Sequence, residues 1–219
     1  MNIKTTVNQA SLFHEKYIFF DFDGVIKESV AVKTGAFVSL FHMFGGDIAI
    51  RIKQHHEENG GISRYEKIPL YLGWAGQETS SCEVNKYLYE FSKLVKQEVI
   101  QSNWVPGILS YLEKQSESKT FFVITATPQE EIEEIINALE IKKYFEEIIG
   151  APIKKTFAVK EVLDKYLIDV DNAVMVGDSS TDYDAAIMNN IKFILRKTKL
   201  NQRLQKKLQC KMITDFNNG

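Results

Sequence analysis

Residues 17–26 read YIFFDFDGVI: four apolar residues in succession, two aspartates two positions apart, and a glycine. An unbroken apolar run of this kind has no polar side to offer water, so it fits a strand buried on both faces of a parallel sheet. Such a sheet needs helices over both faces, which sets the fold class before any other residue is read. Carboxylates inside that layer would be costly. At the carboxyl end of a parallel strand they project instead into the crevice where open α/β sheets bind ligands. Gly24 lets the chain turn sharply directly afterwards.

Comparable runs recur at residues 120–124, 173–176 and 191–195, with a weaker one at 147–149. Helical patterns separate the later runs. Ile132, Ile135, Ile136 and Leu139 recur at i, i+3, i+4 and i+7, which lays one apolar stripe on the sheet. Thr127 is expected to cap this helix, with Pro128 in its first position and Glu130 completing a capping box. Residues 155–166 and 182–189 read as two more helices. Strand and helix in steady alternation give an α/β architecture, a right-handed doubly wound parallel sheet of Rossmann-like form.

Residues 28–103 break that rhythm. They hold no convincing strand and read as four helices punctuated by glycines. Phe37, Leu40, Phe41 and Phe44 line the first, which stops at Gly45-Gly46. The second, near residues 48–58, stops at Gly60-Gly61. Ser63 and Glu66 open the third as a capping box. The fourth, residues 81–99, turns Val84, Leu88, Phe91 and Val95 inward. The expectation is an all-helical cap domain over 28–103, inserted into a core formed by 1–27 and 104–219. Hinges are placed near 26–29 and 102–107.

The net charge of −2 supplies no basic field for nucleic acid or anionic lipid. The basic residues between 196 and 211 alternate with Leu and Gln and read as a solvated helix face. Two cysteines, Cys82 and Cys210, lack metal-type spacing and fit a reducing compartment. The opening MNIKTTVNQASLF has no apolar core of a leader, and no run nears the roughly 20 residues that span a bilayer. A cytoplasmic protein acting on a small molecule is expected; nothing in the sequence speaks to oligomeric state.

Taken singly, the polar residues at the strand ends are weak signals. Asp21-x-Asp23-Gly24 could be a turn with two capping aspartates. Gly177-Asp178-Ser179-Ser180-Thr181-Asp182 could be a strand-to-helix turn capped by Thr181 or Asp182. Thr125 could simply leave a strand, and Lys154-Lys155 could be exposed. Together they deliver four carboxylates, a hydroxyl and a lysine to one crevice. Gathered acids repel and take up protons unless a cation sits among them. A hard oxygen-loving ion, Mg²⁺, resolves that, and phosphoryl transfer needs this set of groups.

In their order, DFDGVI, VITATP, GAPIKK and GDSSTD, these motifs resemble the haloacid dehalogenase (HAD) superfamily, in its phosphoglycolate phosphatase/β-phosphoglucomutase-like branch. The helical insert sits where that family's C1 cap belongs. The resemblance implies Asp21 as the nucleophile that forms an aspartyl-phosphate and Asp23 as the general acid/base. It implies a Mg²⁺ held by the carboxylates of Asp21 and Asp178 and the main-chain carbonyl of Asp23. Asp182 would orient that site without ligating the ion. Thr125 and Lys155, with Gly24 and Ala126, would hold the phosphoryl group, Lys154 being a rival to Lys155. Glu28 and Ala151 depart from the residues common in relatives.

Within the insert, Gly61-Ile62-Ser63-Arg64 is similar to the specificity loop of β-phosphoglucomutase-like members, which implies Arg64, and less so Lys67, as a substrate contact. His42, His55 and His56 lack metal-like partners, and Trp74 and Trp104 read as packing residues. The implied activity is hydrolysis of a small phosphomonoester. A phosphomutase of a sugar phosphate would use the same aspartates and Arg64. A non-catalytic binding protein on the same fold is the third reading.

Overall fold

The apolar run at the start of the sequence forms β1 (Tyr17–Phe20), an inner strand hydrogen-bonded on both sides. In the computed structural model residues 12–217 are described. The opening stretch read above for a leader lies largely outside them, in residues 1–11. Strands β2 (Thr120–Pro128), β3 (Phe145–Ala151), β4 (Ala173–Gly177), β5 (Lys192–Arg196) and β6 (Lys211–Ile213) complete one sheet in the order β3-β2-β1-β4-β5-β6. Every neighbouring pair is parallel.

Alternation along the strands builds two cores, one on each face. Ile18 and Phe20 pack with Val123, Val176 and Ile194 under helices α5 (Ile108–Gln115) and α6 (Gln129–Ala138). Phe19 turns the other way, to Phe122, Ile124 and Met175 under α7 (Lys155–Lys165) and α8 (Ser180–Met188). Each fully buried Phe contributes about 1.5–3 kcal/mol relative to an exposed one. A short helix, α9 (Gln202–Lys207), joins β5 to β6.

Between β1 and β2 the chain forms α1 (Val30–Phe41), α2 (Gly46–Glu58), α3 (Arg64–Trp74) and α4 (Ser81–Gln101). Aromatic rings hold them together: Phe37 stacks on Phe91 at 3.9 Å between centroids and meets Tyr71 edge-on at 5.3 Å. The two connections to the sheet run side by side. Glu28 N–H donates to the Asn103 carbonyl at 2.8 Å, and Val105 N–H to that of Ile26 at 3.0 Å. Lys27 Nζ seals them, over the Trp104 ring at 4.1 Å and bonded to the Ile100 carbonyl at 3.0 Å.

Two expectations are corrected. Thr127 does not cap α6, because β2 runs on to Pro128 and the Thr127 hydroxyl is used elsewhere. Residues 196–211 are not one solvated helix. Arg196 ends β5, buried, with its guanidinium on the Glu28 carboxylate and the Gly24 carbonyl. No described helix is long and apolar enough to cross a membrane.

Candidate active site

The sheet reverses its strand order between β1 and β4, and the polar residues gather there, at the carboxyl ends. Asp21 follows β1 directly, and its N–H still bonds the Val176 carbonyl at 3.0 Å, so the sheet itself fixes its position. Its side chain is buried. Oδ1 accepts from Phe22 N–H at 2.7 Å, and Oδ2 lies 2.8 Å from Lys155 Nζ. Lys155 opens α7 and also reaches Asp182 Oδ1 at 2.6 Å. Lys154 is the residue before α7 and is exposed.

Asp182 is fully buried. Its Oδ2 accepts from Ser179 N–H at 3.0 Å and Ser179 Oγ at 2.6 Å. The capping box of α8 is therefore made by Ser179, not by Thr181 or Asp182 as the cap residue. One helix start thus orients the carboxylate that holds Lys155 against Asp21.

Asp178 stands between Gly177 and this cap, its carbonyl tied by Asn201 Nδ2 at 2.8 Å. Among the described residues nothing donates to its carboxylate. Gly24 sits at φ +75°, and a Cβ there would collide with Asp178, so the glycine provides both the turn and the space. Asp21, Asp178 and Asp182 each bring an oxygen within 4.8 Å of the others.

Burial, then the charge of Asp182, pushes Asp21 up to about 7, against the pull of Lys155. Burial and the charges of Asp21 and Asp182 push Asp178 well above the usual range. Lys155, although burial disfavours its charge, is held above its usual value by Asp182 and Asp21. A cluster that would take up protons, with one carboxylate free of donors, suits a hard divalent cation with oxygen ligands.

Asp23 points to the helical layer. Ser29 Oγ donates to it at 2.5 Å, Thr127 Oγ1 at 3.2 Å, and Lys33 Nζ pairs with it directly. Lys33 also donates to Thr127 Oγ1 at 2.8 Å. Burial raises the Asp23 value, but the charge and hydrogen bond of Lys33 and the bond from Ser29 outweigh it and hold Asp23 low. Thr125, buried, ends the apolar part of β2, and its Oγ1 accepts from Thr127 N–H at 3.2 Å. Ala126 and Lys155 line a cleft of about 200 Å³ whose other wall is Gly61, Ile62 and Ser63. A Cβ at Gly61 would strike Thr181 and Ser179, so this glycine allows the insert to close on α8.

Arg64 is not in this crevice, which corrects its expected role. Its guanidinium is buried, paired through both nitrogens with Glu131 of α6 (2.8 Å at NH1), bonded to Ser92 Oγ at 3.0 Å and set over the Phe91 ring at 4.6 Å. Sequence reading missed Ser29, Lys33 and Thr127, which hold Asp23, and Glu131, which holds Arg64. Only Thr127 carried a local signal, two residues past Thr125.

Residues 18–196 match the family model described as haloacid dehalogenase-like hydrolase. A phosphorylated carbohydrates phosphatase from Thermotoga maritima is 24% identical over 177 residues, which cover 77% of this chain and 79% of that protein. Among solved structures, a β-phosphoglucomutase from Clostridium difficile superposes with TM-score 0.73 at 22% identity, covering 93% of this chain and 92% of that one. CbbY from Rhodobacter sphaeroides, solved in complex with phosphate, gives 0.74 at 16% identity, with 92% and 95% covered. These two are likenesses of fold.

Proposed function

The chain belongs to the haloacid dehalogenase-like hydrolase family, and from that premise we propose that it is a divalent-metal-dependent phosphatase of small phosphomonoesters. In this reading residues 28–103 are a cap over a core of 1–27 and 104–219. The observation that carries it is the Asp21–Lys155–Asp182 chain of contacts beside Asp178, built from the ends of three parallel strands.

Asp21 is the nucleophile: its carboxylate attacks phosphorus, the ester oxygen leaves, and an aspartyl-phosphate forms and is then hydrolysed. Lys155 and Thr125 hold the anionic oxygens during transfer. Asp23 protonates the leaving oxygen and later takes a proton from the attacking water. Lys33 holds Asp23 ionised in the free protein. The proton that Asp23 passes to the leaving oxygen therefore enters with the phosphoryl group of a substrate bound as its monoanion. The carboxylate left ionised afterwards is the form that accepts from water. The carboxylates of Asp21 and Asp178, with the Asp23 carbonyl, would hold Mg²⁺, and Asp182 would orient the group. The ion when bound supplies charge neutralisation at the phosphoryl oxygens.

Hydrolysis is preferred over a mutase because Arg64, on which the mutase reading leaned, is committed to Glu131. The test is release of inorganic phosphate from p-nitrophenyl phosphate and a panel of phosphometabolites with Mg²⁺. Asp21→Asn is expected to lower turnover by at least about 10³-fold while the protein remains folded by circular dichroism. Near-normal turnover in that variant would sink the mechanism. Formation of an isomeric sugar phosphate without phosphate release would establish the mutase instead, and no reaction at all a binding protein.

A further inference from the structure

The carboxyl end of β5 carries no residue of the proposed chemistry, yet it reaches the site twice. Arg196, the last residue of β5, donates through Nη1 to the Gly24 carbonyl at 3.2 Å. Asn201, five positions on, turns its side-chain amide towards β4. Its Nδ2 donates to the Asp178 carbonyl at 2.8 Å and to the Arg196 carbonyl at 2.8 Å. Its Oδ1 accepts from Thr198 N–H at 2.9 Å and from Gln205 Nε2 at 2.7 Å. Two acceptors face one end of the amide and two donors the other, so one orientation alone satisfies all four.

Asn201 stands directly before α9, where an asparagine ordinarily turns its oxygen onto the N–H groups of the first turn. It makes no such bond. The side chain is turned inward, with 7% of the residue exposed. Helix α9 therefore does not account for an amide at this position.

The four acids of the crevice differ in how they are held. Asp21 has Phe22 N–H and Lys155, Asp182 has Ser179 and Lys155, and Asp23 has Ser29, Lys33 and Thr127. Among the described residues Asp178 has no donor on its carboxylate, and the side chain that bonds it, Asn201, takes its main chain. The pairing of β4 with β5 ends at Gly177. One residue beyond that ladder, the direction of the Asp178 side chain depends on what fixes its peptide.

We propose that Asn201 is a positioning residue of the metal site: it fixes the peptide of Asp178 and thereby aims a carboxylate that no other side chain steers. The inference rests on the metal-dependent reading of the crevice and adds to it a residue that none of the strand-end motifs contains.

The test measures Mn²⁺ affinity by electron paramagnetic resonance of the free ion, and turnover of p-nitrophenyl phosphate against Mg²⁺ concentration. Asn201→Leu keeps the volume and removes both donors. Gln205→Leu loosens the same loop, through its lost bonds to Thr198 and Asn201, but leaves the bond to Asp178 in place. Asn201→Leu is expected to weaken Mn²⁺ binding about tenfold to a hundredfold, the range for groups that orient a metal ligand from behind. Its Mg²⁺ requirement should rise in parallel, and the lost rate should return as Mg²⁺ is raised, the pattern of lost binding rather than lost chemistry. Gln205→Leu is expected to bind Mn²⁺ nearly as the wild type does. Unchanged affinity in Asn201→Leu, or an equal loss in Gln205→Leu, would mark the loop as merely structural and overturn the assignment. A measurement on the wild type holds even where Asn201→Leu does not fold. Titration with Mg²⁺ is expected to shift the nuclear magnetic resonance signals of the Asn201 side-chain amide, and signals that do not move would overturn it too. If Asp178→Asn binds Mn²⁺ like the wild type, the metal reading itself has failed. If Asp178→Asn loses the ion and Asn201→Leu keeps it, this inference alone has failed.

Discussion

Thr127 shows how a residue's neighbours in space can overrule its neighbours in sequence. Followed by Pro128 and Glu130, it has the local chemistry of a helix cap. Its hydroxyl instead accepts from Lys33 and donates to Asp23, 104 positions away. The partners of Asp23 come from a loop, a helix and a strand, so no spacing rule could assemble them. The positions of Asp21 and Asp178 were legible because each follows an apolar strand at once or after one glycine, and that of Lys155 because it opens the helix after β3. Thr127→Val keeps shape and deletes one bond to the carboxylate. We expect kcat to fall by about tenfold to a hundredfold, the range for a hydrogen bond to a charged group. The loss should be larger for an alkyl phosphate, whose leaving oxygen needs a proton, than for p-nitrophenyl phosphate. An equal loss on both would show that Thr127 does not act through Asp23.

Among the elements, the run-and-stripe pattern gave the strands on either side of the site and the helices that follow them, because burial on both faces writes itself plainly into composition. It did not give α5 or β6, since eight and three residues hold too few positions for a period to show. It could not give the seam between α3, α4 and α6. There Arg64 and Glu131 form a buried pair shared with Ser92, while Lys96 and Glu134 meet at 2.6 Å in solvent. The two pairs should behave differently. Glu131→Ala leaves a guanidinium buried without its carboxylate, and urea unfolding is expected to register a loss of about 3 kcal/mol or more. Lys96→Ala removes an exposed pair and is expected to leave the unfolding midpoint unchanged within error. If Glu131→Ala unfolds like the wild type, the seam opens readily enough in solution for Arg64 to find water.

At the scale of the whole molecule, the crevice concentrates acids that the fold alone does not keep ionised. Asp21, raised to about 7 from an ordinary 3.8, binds more protons in the folded chain than in the unfolded one between those values. Without a cation, its contribution to stability therefore falls as pH rises through that window, and Asp178 acts in the same direction. His55 and His56, both held below 6.5, act oppositely below that pH. Stability against pH measured on metal-free protein alone would mix these opposing contributions. The difference made by saturating Mg²⁺ removes the histidines from the comparison, because they are outside the proposed ligand set. A cation entering that set must displace the protons on Asp21 and Asp178, so its affinity should rise about tenfold per pH unit for each proton released. The upward shift of the thermal midpoint with Mg²⁺ is expected to grow between pH 5 and about pH 7, as Asp21 gives up its proton. Asp178→Asn should abolish most of that shift at every pH, since an amide cannot supply the lost charge. A shift independent of pH, or one that survives in Asp178→Asn, would place the ion away from the carboxylates that gather at the end of β1.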